Sequence, residues 1–331
     1  MSAGGPKRAL IVGLGSIGRR HAANLRVLGR PMELVLLRRE VRGDEGNRGL
    51  EARVTTDLAS ALAMRPDFAV IATPSARHVE SLLSLLEAGV PCYVEKPVVS
   101  RRDQLDRLTA LLSTLRAVPV THAGCNFRHL PSLVRLRELV AGGAVGKVVR
   151  ASLQAGQWLP DWRPSQDYRT GYSADSSQGG GVILDLIHEI DVARWIFGEF
   201  DRVVALAGKL SSLDVRSEDT ACLVFGKRND GPLVSIGLDY VSRRRVRRYE
   251  IVGEQGTLVW DFTLARLDLI TRDRTETIGS GGMDFDVNQT YVTAMREFLD
   301  AVENGSPTSQ DIFEGIRSTD LALRAREAAG L

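Results

Sequence analysis

Residues 8–21 of the chain read RALIVGLGSIGRRH, an apolar run that passes directly into closely spaced glycines. Gly13, Gly15 and Gly18 have the spacing G-x-G-x-x-G, after a predicted strand and at the start of a predicted helix. In that context the first glycine permits a tight turn, the second lets backbone amides approach a phosphate, and the third lets helix and strand pack closely. The stretch therefore predicts the first strand, turn and helix of a dinucleotide-binding domain.

Short apolar runs alternate with amphipathic stretches over the residues that follow. Runs that are apolar on both faces are typical of parallel strands covered by helices on each side. The β-α-β alternation predicts a doubly wound sheet, and we expect a Rossmann domain over residues 1–124. The further strand candidates lie at residues 33–37, 67–73, 91–97 and 117–125.

The pattern of the sequence changes after residue 124. Longer runs with alternating apolar and polar residues predict antiparallel strands that bury one face of a sheet. Examples are GKVVRASLQAG at 146–156, DTACLVFG at 219–226 and LVSIGLDYVS at 233–242. Helical periodicity returns near the C-terminus, in two segments that can pack back on the first domain. We expect an α+β domain with an open, mostly antiparallel sheet over residues 125–331.

The charge balance argues against a polyanionic partner. The chain carries 43 Lys and Arg against 41 Asp and Glu, so no overall field recruits nucleic acid or a membrane surface. Its three cysteines are widely separated, which fits neither a disulfide framework nor a zinc site. No apolar run approaches the length of a membrane span or a signal-peptide core. We expect a cytoplasmic protein with a small-molecule partner and no metal ion.

Two arginines follow the second predicted strand, where a dinucleotide-binding domain normally presents an acid to the ribose hydroxyls. A guanidinium at Arg38 or Arg39 suits a 2′-phosphate, which it can bind bidentately. This favours NADP as the cofactor. The alternative is NAD, with both arginines in a solvated loop and Glu33 or Glu40 as the ribose partner.

Lys96 follows another parallel strand, in the segment YVEKPVV. The carboxyl end of such a strand is where ligands bind in open α/β sheets. A lysine at a strand end is also common on a solvated surface. Its interpretation as a catalytic group therefore depends on a second group elsewhere in the chain.

The segment SQGGGVILDLIHEIDVARW, at 177–195, carries that second group. If it forms one helix from Val182, its branched residues share an apolar face, and Asp185 and His188 lie opposite. An Asp three residues before a His can orient the imidazole. The alternative is a core histidine whose ring is satisfied by Asp185 or Asp191.

Aromatic and basic residues are concentrated in two further places. The loop before the glycines has the composition that stacks on sugar faces and pairs with carboxylate or phosphate, but an oligomer contact would show the same composition. The basic run at 243–248 favours a solvated edge strand over a phosphate site. The loop residues are Trp158, Trp162, Arg163, Tyr168 and Arg169.

Several stretches together resemble the Gfo/Idh/MocA oxidoreductases, the family of glucose–fructose oxidoreductase and inositol dehydrogenase. The resemblance spans nearly the whole chain and is carried by GLGSIGRRH, ATPSARHVE, EKP, NFRHLP and the glycine-rich segment above. It implies a Rossmann domain followed by a domain whose open sheet mediates a homodimer or homotetramer. GSIGRRH and LPDWRPSQDYR are similar to a branch associated with bacterial surface-sugar metabolism.

By this resemblance Lys96 and His188 form the catalytic pair. His188 would be the general base on a sugar hydroxyl while hydride passes to the nicotinamide, and Lys96 would stabilise the charge on the reacting oxygen. The family commonly has an Asp four residues before the His, whereas Asp185 stands three before. Either the helix bulges locally or Asp185 only orients His188.

The same resemblance implies two binding sites. His78 lies near the expected path of the cofactor, although it could equally be a surface residue, and Asp191 is a substrate contact or a structural partner. The implied cofactor-binding residues are Gly13, Gly15, Ser16, Ile17, Gly18, Arg38, Arg39, Thr73, Pro74, His78, Glu95 and Lys96. The implied substrate-binding residues are Asn126, Arg128, Trp162, Tyr168, Arg169 and Asp191.

The sequence thus predicts an NAD(P)-dependent oxidoreductase. It would transfer a hydride between the nicotinamide and a hydroxyl or keto carbon of a sugar, sugar derivative or cyclitol. Two alternatives remain open: an NAD-dependent glycosidase that oxidises its substrate transiently, and a non-catalytic dinucleotide sensor. The presence of both Lys96 and His188 argues against the sensor, because a sensor needs no acid–base pair.

Overall fold

A computed structural model describes residues 6–40 and 50–331 of the chain. It divides into two compact units. Unit 1 contains the described residues up to Gly124 together with 291–316, and unit 2 contains 125–290 together with 317–331.

Unit 1 is built on a parallel sheet, as predicted. Its strands are β1 (Lys7–Val12), β2 (Met32–Leu37), β3 (Ala52–Thr55), β4 (Phe68–Ile71), β5 (Cys92–Val94) and β6 (Thr121–Ala123). Their order in the sheet is β3-β2-β1-β4-β5-β6, so the chain changes direction between β1 and β4. That reversal is where doubly wound sheets bind dinucleotides. The helices between the strands are α1 (Ser16–Val27), α2 (Leu58–Ala63), α3 (His78–Glu87) and α4 (Arg102–Thr114).

Unit 2 is built on an open sheet, also as predicted. Neighbouring strands are antiparallel except for β7 and β10, which are parallel. The order is β14-β13-β12-β11-β7-β10-β9-β8. The sequence analysis missed β14. The strands are β7 (Val148–Gly156), β8 (Arg202–Gly208), β9 (Thr220–Gly226), β10 (Leu233–Asp239), β11 (Val246–Gly253), β12 (Thr257–Asp261), β13 (Arg266–Ile270) and β14 (Thr275–Ser280).

The helices of unit 2 correct one prediction. They are α5 (Pro131–Ala141), α6 (Val182–Asp185) and α7 (Ile187–Phe197). The single helix predicted from Val182 is interrupted at Leu186, which has φ −97° and ψ 31°. Side chains on either side of the break bind different elements of unit 2, and these tertiary contacts override the local helical pattern.

Two C-terminal helices, α8 (Val287–Asn304) and α9 (Ile312–Ala328), complete the fold. The part of α8 that belongs to unit 1 covers one face of the parallel sheet. Its Phe298 packs edge-on against Phe68 of β4 and Tyr93 of β5, with ring centroids 5.8 Å and 5.9 Å apart. A parallel sheet whose strands are apolar on both faces needs such a cover, and here the C-terminal region provides it.

Candidate functional site

The glycines of the turn in unit 1 are of two kinds: at two of them a side chain would meet backbone atoms, and at the third it would meet open space. Gly13 has φ +90°, and a Cβ there would lie 3.0 Å from the carbonyl oxygen of Ala72. A Cβ at Gly18 would collide with the carbonyl oxygen of Gly13. At Gly15, by contrast, a Cβ would meet no described atom within 4 Å. The fold itself requires Gly13 and Gly18, whereas Gly15 leaves an open space of the kind that a bound pyrophosphate fills.

The predicted cofactor residues lie at one edge of the parallel sheet. Ser16 and Ile17 begin α1, whose first turn holds no acidic residue and therefore favours an anion at its N-terminus. Thr73 and Pro74 follow β4, and the methyl group of Thr73 abuts the position of a Cβ at Gly13. The carboxyl ends of β1 and β4 thus lie at the reversal of strand order, where doubly wound sheets bind dinucleotides.

Arg38 and Arg39 directly follow β2 at the same edge. Arg38 is half-buried, and its backbone N–H donates to the carbonyl of Thr55 at 3.0 Å. Glu33 lies at the opposite end of β2 and is held by Arg8 at 2.7 Å and by Arg53 at 2.9 Å. Glu33 is therefore excluded as a ribose partner, which leaves the exposed Glu40 as the acidic alternative.

Glu95 occupies the interior of unit 1. Its Oε1 is 2.6 Å from Nε2 of His21 on α1, and its Oε2 accepts from the backbone N–H of Lys96 at 3.3 Å. The Lys96 side chain is half-buried, and the Lys96–Pro97 peptide bond is cis. Glu95 thus ties the helix that follows the glycine turn to the backbone that presents Lys96.

His78 is buried, so the alternative of a surface residue is wrong. Its Nδ1 lies 2.9 Å from the carbonyl oxygen of Pro97, and its Nε2 lies 2.9 Å from that of Thr73. Burial lowers the pKa of His78 below its ordinary value, against the effect of these two hydrogen bonds, which raise it. The imidazole thus links the loop that carries Thr73 to the loop that carries Lys96 and Pro97.

In unit 2 the helix pair α6 and α7 is buried along most of its length. The ring of His188 stacks on Phe127, with centroids 4.6 Å apart and planes 11° from parallel. Asp185 accepts from the hydroxyl of Tyr240 at 2.6 Å. Burial and the nearby charge of Asp185 raise the pKa of Tyr240, so this hydroxyl keeps its proton and remains a donor.

The predicted residues Arg128 and Asp191 bind each other in the interior of unit 2. The guanidinium of Arg128 donates to both carboxylate oxygens of Asp191, at 2.9 Å and 2.6 Å, and Ser318 donates to one of them at 2.6 Å. Asn126 is also buried, and its amide donates to the hydroxyl of Thr290. These contacts anchor α7 and the segment before α5.

The aromatic loop divides into two parts. Trp162 donates from its indole N–H to the carbonyl of Gln157 at 3.2 Å, and its ring lies edge-on to Tyr240 at 5.3 Å. Tyr168 accepts from the backbone N–H of Asp214, and Arg169 pairs with Asp167 on the surface. The structure therefore brings Trp162 beside the tyrosine that binds Asp185, while the contacts of Tyr168 and Arg169 are local.

The basic run at 243–248 is not an edge, because β11 lies between β12 and β7. Arg247 pairs with the buried carboxylate of Glu189 at 2.7 Å, and its guanidinium lies 4.5 Å from the ring centroid of Phe127. Glu189 also accepts from the hydroxyl of Tyr249 at 2.9 Å. A two-residue period would have revealed this, because Arg245 and Arg247 precede the buried Tyr249 by even numbers of residues.

Residues 6–40 and 50–331 contain no cluster of three or more His, Cys, Asp or Glu residues that could hold a metal ion. They also contain no helix long and apolar enough to cross a membrane.

The glycine turn and strand order of unit 1 are those of a dinucleotide-binding domain, and the matched family model makes the chain an oxidoreductase with an NAD-binding Rossmann fold. Residues 7–122 match the family model described as "Oxidoreductase family, NAD-binding Rossmann fold", and residues 133–259 match the "GFO/IDH/MocA C-terminal domain". The chain belongs to the Gfo/Idh/MocA oxidoreductase family.

Known proteins support this assignment. The chain is 24% identical to myo-inositol 2-dehydrogenase of Thermotoga maritima, over 96% of this chain and 95% of that protein. It is 26% identical to inositol 2-dehydrogenase 2 of Mycolicibacterium vanbaalenii, over 92% and 88%. The solved structure of levoglucosan dehydrogenase in complex with NADH has the same fold, with a TM-score of 0.84 at 19% identity over 98% and 97% of the two chains.

Alanine at Gly15 and alanine at Gly18 should have opposite effects. At Gly18 the added methyl meets backbone, so we expect the free energy of unfolding to fall by about 1–3 kcal/mol. At Gly15 the backbone is compatible with alanine, so stability should rise by about 0.5 kcal/mol while dinucleotide affinity falls about tenfold or more. Denaturant unfolding and a fluorescence titration with NADH and NADPH measure both. Unchanged affinity in Gly15→Ala would contradict a pyrophosphate at this turn.

Proposed function

We propose that the protein is an NAD(P)-dependent dehydrogenase or reductase of a sugar, sugar derivative or cyclitol. The observation that carries the proposal is His188, buried on α7 and stacked on Phe127, in a chain whose first unit has an open dinucleotide turn. Relatives named myo-inositol 2-dehydrogenase and levoglucosan dehydrogenase support this class of substrate.

When bound, the nicotinamide dinucleotide supplies the hydride acceptor for the carbon of the reacting alcohol. His188 takes the proton of the hydroxyl as that carbon becomes a carbonyl. Stacking on Phe127 holds the imidazole plane during this transfer. In the direction of reduction the same ring returns the proton to the oxygen.

Lys96 donates a hydrogen bond to the same oxygen and stabilises its negative charge. Glu95 and His21 position the backbone that carries Lys96. Asp185 acts through its contact with Tyr240, which fixes the end of α6 next to His188. Arg128 and Asp191 anchor α7, so we propose that they position His188 in addition to any contact with substrate.

His188→Asn and Lys96→Met should each lower kcat about 10²- to 10⁴-fold, because each removes a group that acts on the reacting oxygen. His188→Asn should leave dinucleotide affinity unchanged. The measurement is the formation of reduced cofactor in a screen of sugars and cyclitols, with His129→Asn as the matched control.

Three outcomes of that screen distinguish the alternatives. Stoichiometric formation of reduced cofactor supports a dehydrogenase. Substrate hydrolysis without net reduction would indicate a glycosidase with transient oxidation. Full activity in both variants would show that the reaction does not need His188 or Lys96, and it would contradict the proposed mechanism.

We propose NADP as the preferred cofactor. Arg38 follows β2 at the position of the ribose-binding residue, and the ion pairs of Glu33 lie at the other end of the strand. Arg38→Asp removes the guanidinium and places a negative charge near the 2′-phosphate. We expect it to lower NADPH affinity at least about tenfold with little loss of NADH affinity.

The control for this prediction is Arg107→Asp, the same change of charge at an exposed position of α4. Fluorescence titration gives both affinities for each protein. Tighter binding of NADH than NADPH by the unsubstituted chain would contradict the assignment.

We propose that unit 2 forms a homodimer or homotetramer through the outer face of its sheet. Large apolar side chains are exposed on the β8 side of this face, among them Val204, Leu206 and Leu233, with Leu206 78% exposed. Leu206 is in register with the exposed Cys222 of β9, so the apolar surface continues across strands. A self-complementary apolar face of this kind is typical of an isologous interface.

Leu206→Glu should shift the protein toward the monomer, because it places a charge among the apolar side chains of that interface. Sedimentation velocity over a range of protein concentrations measures the shift. Val27→Glu, at a position 71% exposed on α1, is the matched control and should leave the mass unchanged. A monomeric parent chain would contradict the proposal.

A further inference from the structure

A cavity in unit 2 lies beside the helix that carries His188. Its volume is about 180 Å³, and its wall includes Gln157, Trp162, Leu186, Arg245 and Arg247. This is space for roughly six water molecules at the volume that each occupies in the liquid. The cavity therefore fits a substituent and part of a ring rather than a whole nucleotide sugar.

The charged residues in the wall of this cavity are all positive. Arg245, Arg247 and Gln157 are among its lining residues, and none of the described residues that line it carries a carboxylate. Arg247 is compensated by Glu189 at 2.7 Å. Arg245 forms no ion pair within 4 Å with a carboxylate of the described residues, and its ring contact is with Phe262. A guanidinium with no carboxylate at ion-pair distance, beside a second guanidinium, can bind an anion.

The electrostatic surroundings of Arg245, which include Arg247, are consistent with an anion site. Arg245 is an exposed residue; partial desolvation of its guanidinium, and then the charge of Arg247, lower its pKa below the ordinary value, while the charge of Glu189 raises it. The first two effects disfavour the isolated guanidinium, and a bound carboxylate or phosphate would offset both. The structural cause is the register of β11, which directs Arg247 to the same side of the sheet as the buried Tyr249.

Residues that line the cavity lie close to His188, the proposed base, or contact its neighbours. Leu186 is the residue at which α6 and α7 are broken, two positions before His188. Phe127 contacts both the ring of His188 and the guanidinium of Arg247. Trp162, in the same wall, lies edge-on to the tyrosine that binds Asp185. A ligand group held by the two arginines would thus be attached to a ring that extends toward His188.

We propose that this cavity binds an anionic substituent of the substrate, so that the protein acts on an acidic sugar derivative. The proposal rests on the proposed function and narrows it. Arg245 is the specificity residue: its guanidinium donates to a carboxylate or phosphate group. Gln157 supplies an amide donor, and Trp162 and Leu186 cover the apolar face of the ring.

The test compares acidic ligands with their neutral parent. D-Glucuronate, D-glucose 6-phosphate and D-glucose are titrated calorimetrically into the cofactor-saturated chain, and the same ligands are assayed as substrates. We expect at least one acidic ligand to bind about 10- to 100-fold more tightly than glucose, with a preference that weakens as salt is added. The ranking of glucuronate against glucose 6-phosphate distinguishes a carboxylate site from a phosphate site.

Arg245→Gln should abolish that preference, so that the acidic ligands bind no more tightly than glucose. Arg244→Gln, an exposed neighbour outside the cavity wall, is the matched control and should keep the preference. Arg247 is unsuitable because its loss would leave the buried Glu189 without its cation. Far-ultraviolet circular dichroism and thermal unfolding confirm that each variant is folded.

Two results would overturn the inference. One is the absence of any preference for an acidic ligand, including the absence of measurable binding, and the other is an undiminished preference in Arg245→Gln. Failure of the proposed function gives a different result: no sugar in the wider screen yields reduced cofactor, whatever the calorimetric ranking of acidic and neutral ligands. Reduction of the cofactor with neutral sugars alone would support the function and refute the acidic substrate.

Discussion

A carboxylate that is buried away from water needs a hydrogen-bond or ion-pair partner. In unit 2 this requirement is met at three carboxylates of one segment. The α6–α7 segment carries Asp185, Glu189 and Asp191, all buried. Tyr240 binds the first, Arg247 and Tyr249 bind the second, and Arg128 with Ser318 binds the third. These partners come from β11, from the residue that follows β10, from the segment before α5 and from the C-terminal helix. The orientation of the histidine segment is therefore determined by contacts on several sides.

Unit 1 uses the same constraint for a different purpose. Glu95 is buried at the end of β5, with His21 of α1 on one oxygen and the backbone of Lys96 on the other. His78 joins the Thr73 and Pro97 carbonyls a short distance away. Buried polar groups thus hold the loops of the sheet edge in place, while Gly15 and Ser16 remain exposed to a ligand. The groups that position the site are separate from those that face the ligand.

Aromatic rings in unit 2 contact both the residues of the proposed proton transfer and the residues that line the cavity. Phe127 contacts His188, proposed as the base, and Arg247, which lines the cavity. Trp162 and Tyr240 make a similar connection from the cavity to Asp185. Rigid planar side chains are suited to this, because they fix two neighbours at once with few rotamers of their own to lose.

The sequence by itself determined what depends on local order along the chain. Glycine spacing after a strand gave the dinucleotide turn, apolar runs gave the parallel sheet, and two-residue alternation gave the open sheet of unit 2. Tertiary structure alone decided the break at Leu186, the partners of Asp185 and Glu189, and the place of the basic run. Arg245 and Arg247 line a cavity because β11 is an inner strand, and strand order depends on pairings between distant residues. Local periodicity specifies which face a residue occupies, but only the assembled sheet specifies what that face meets.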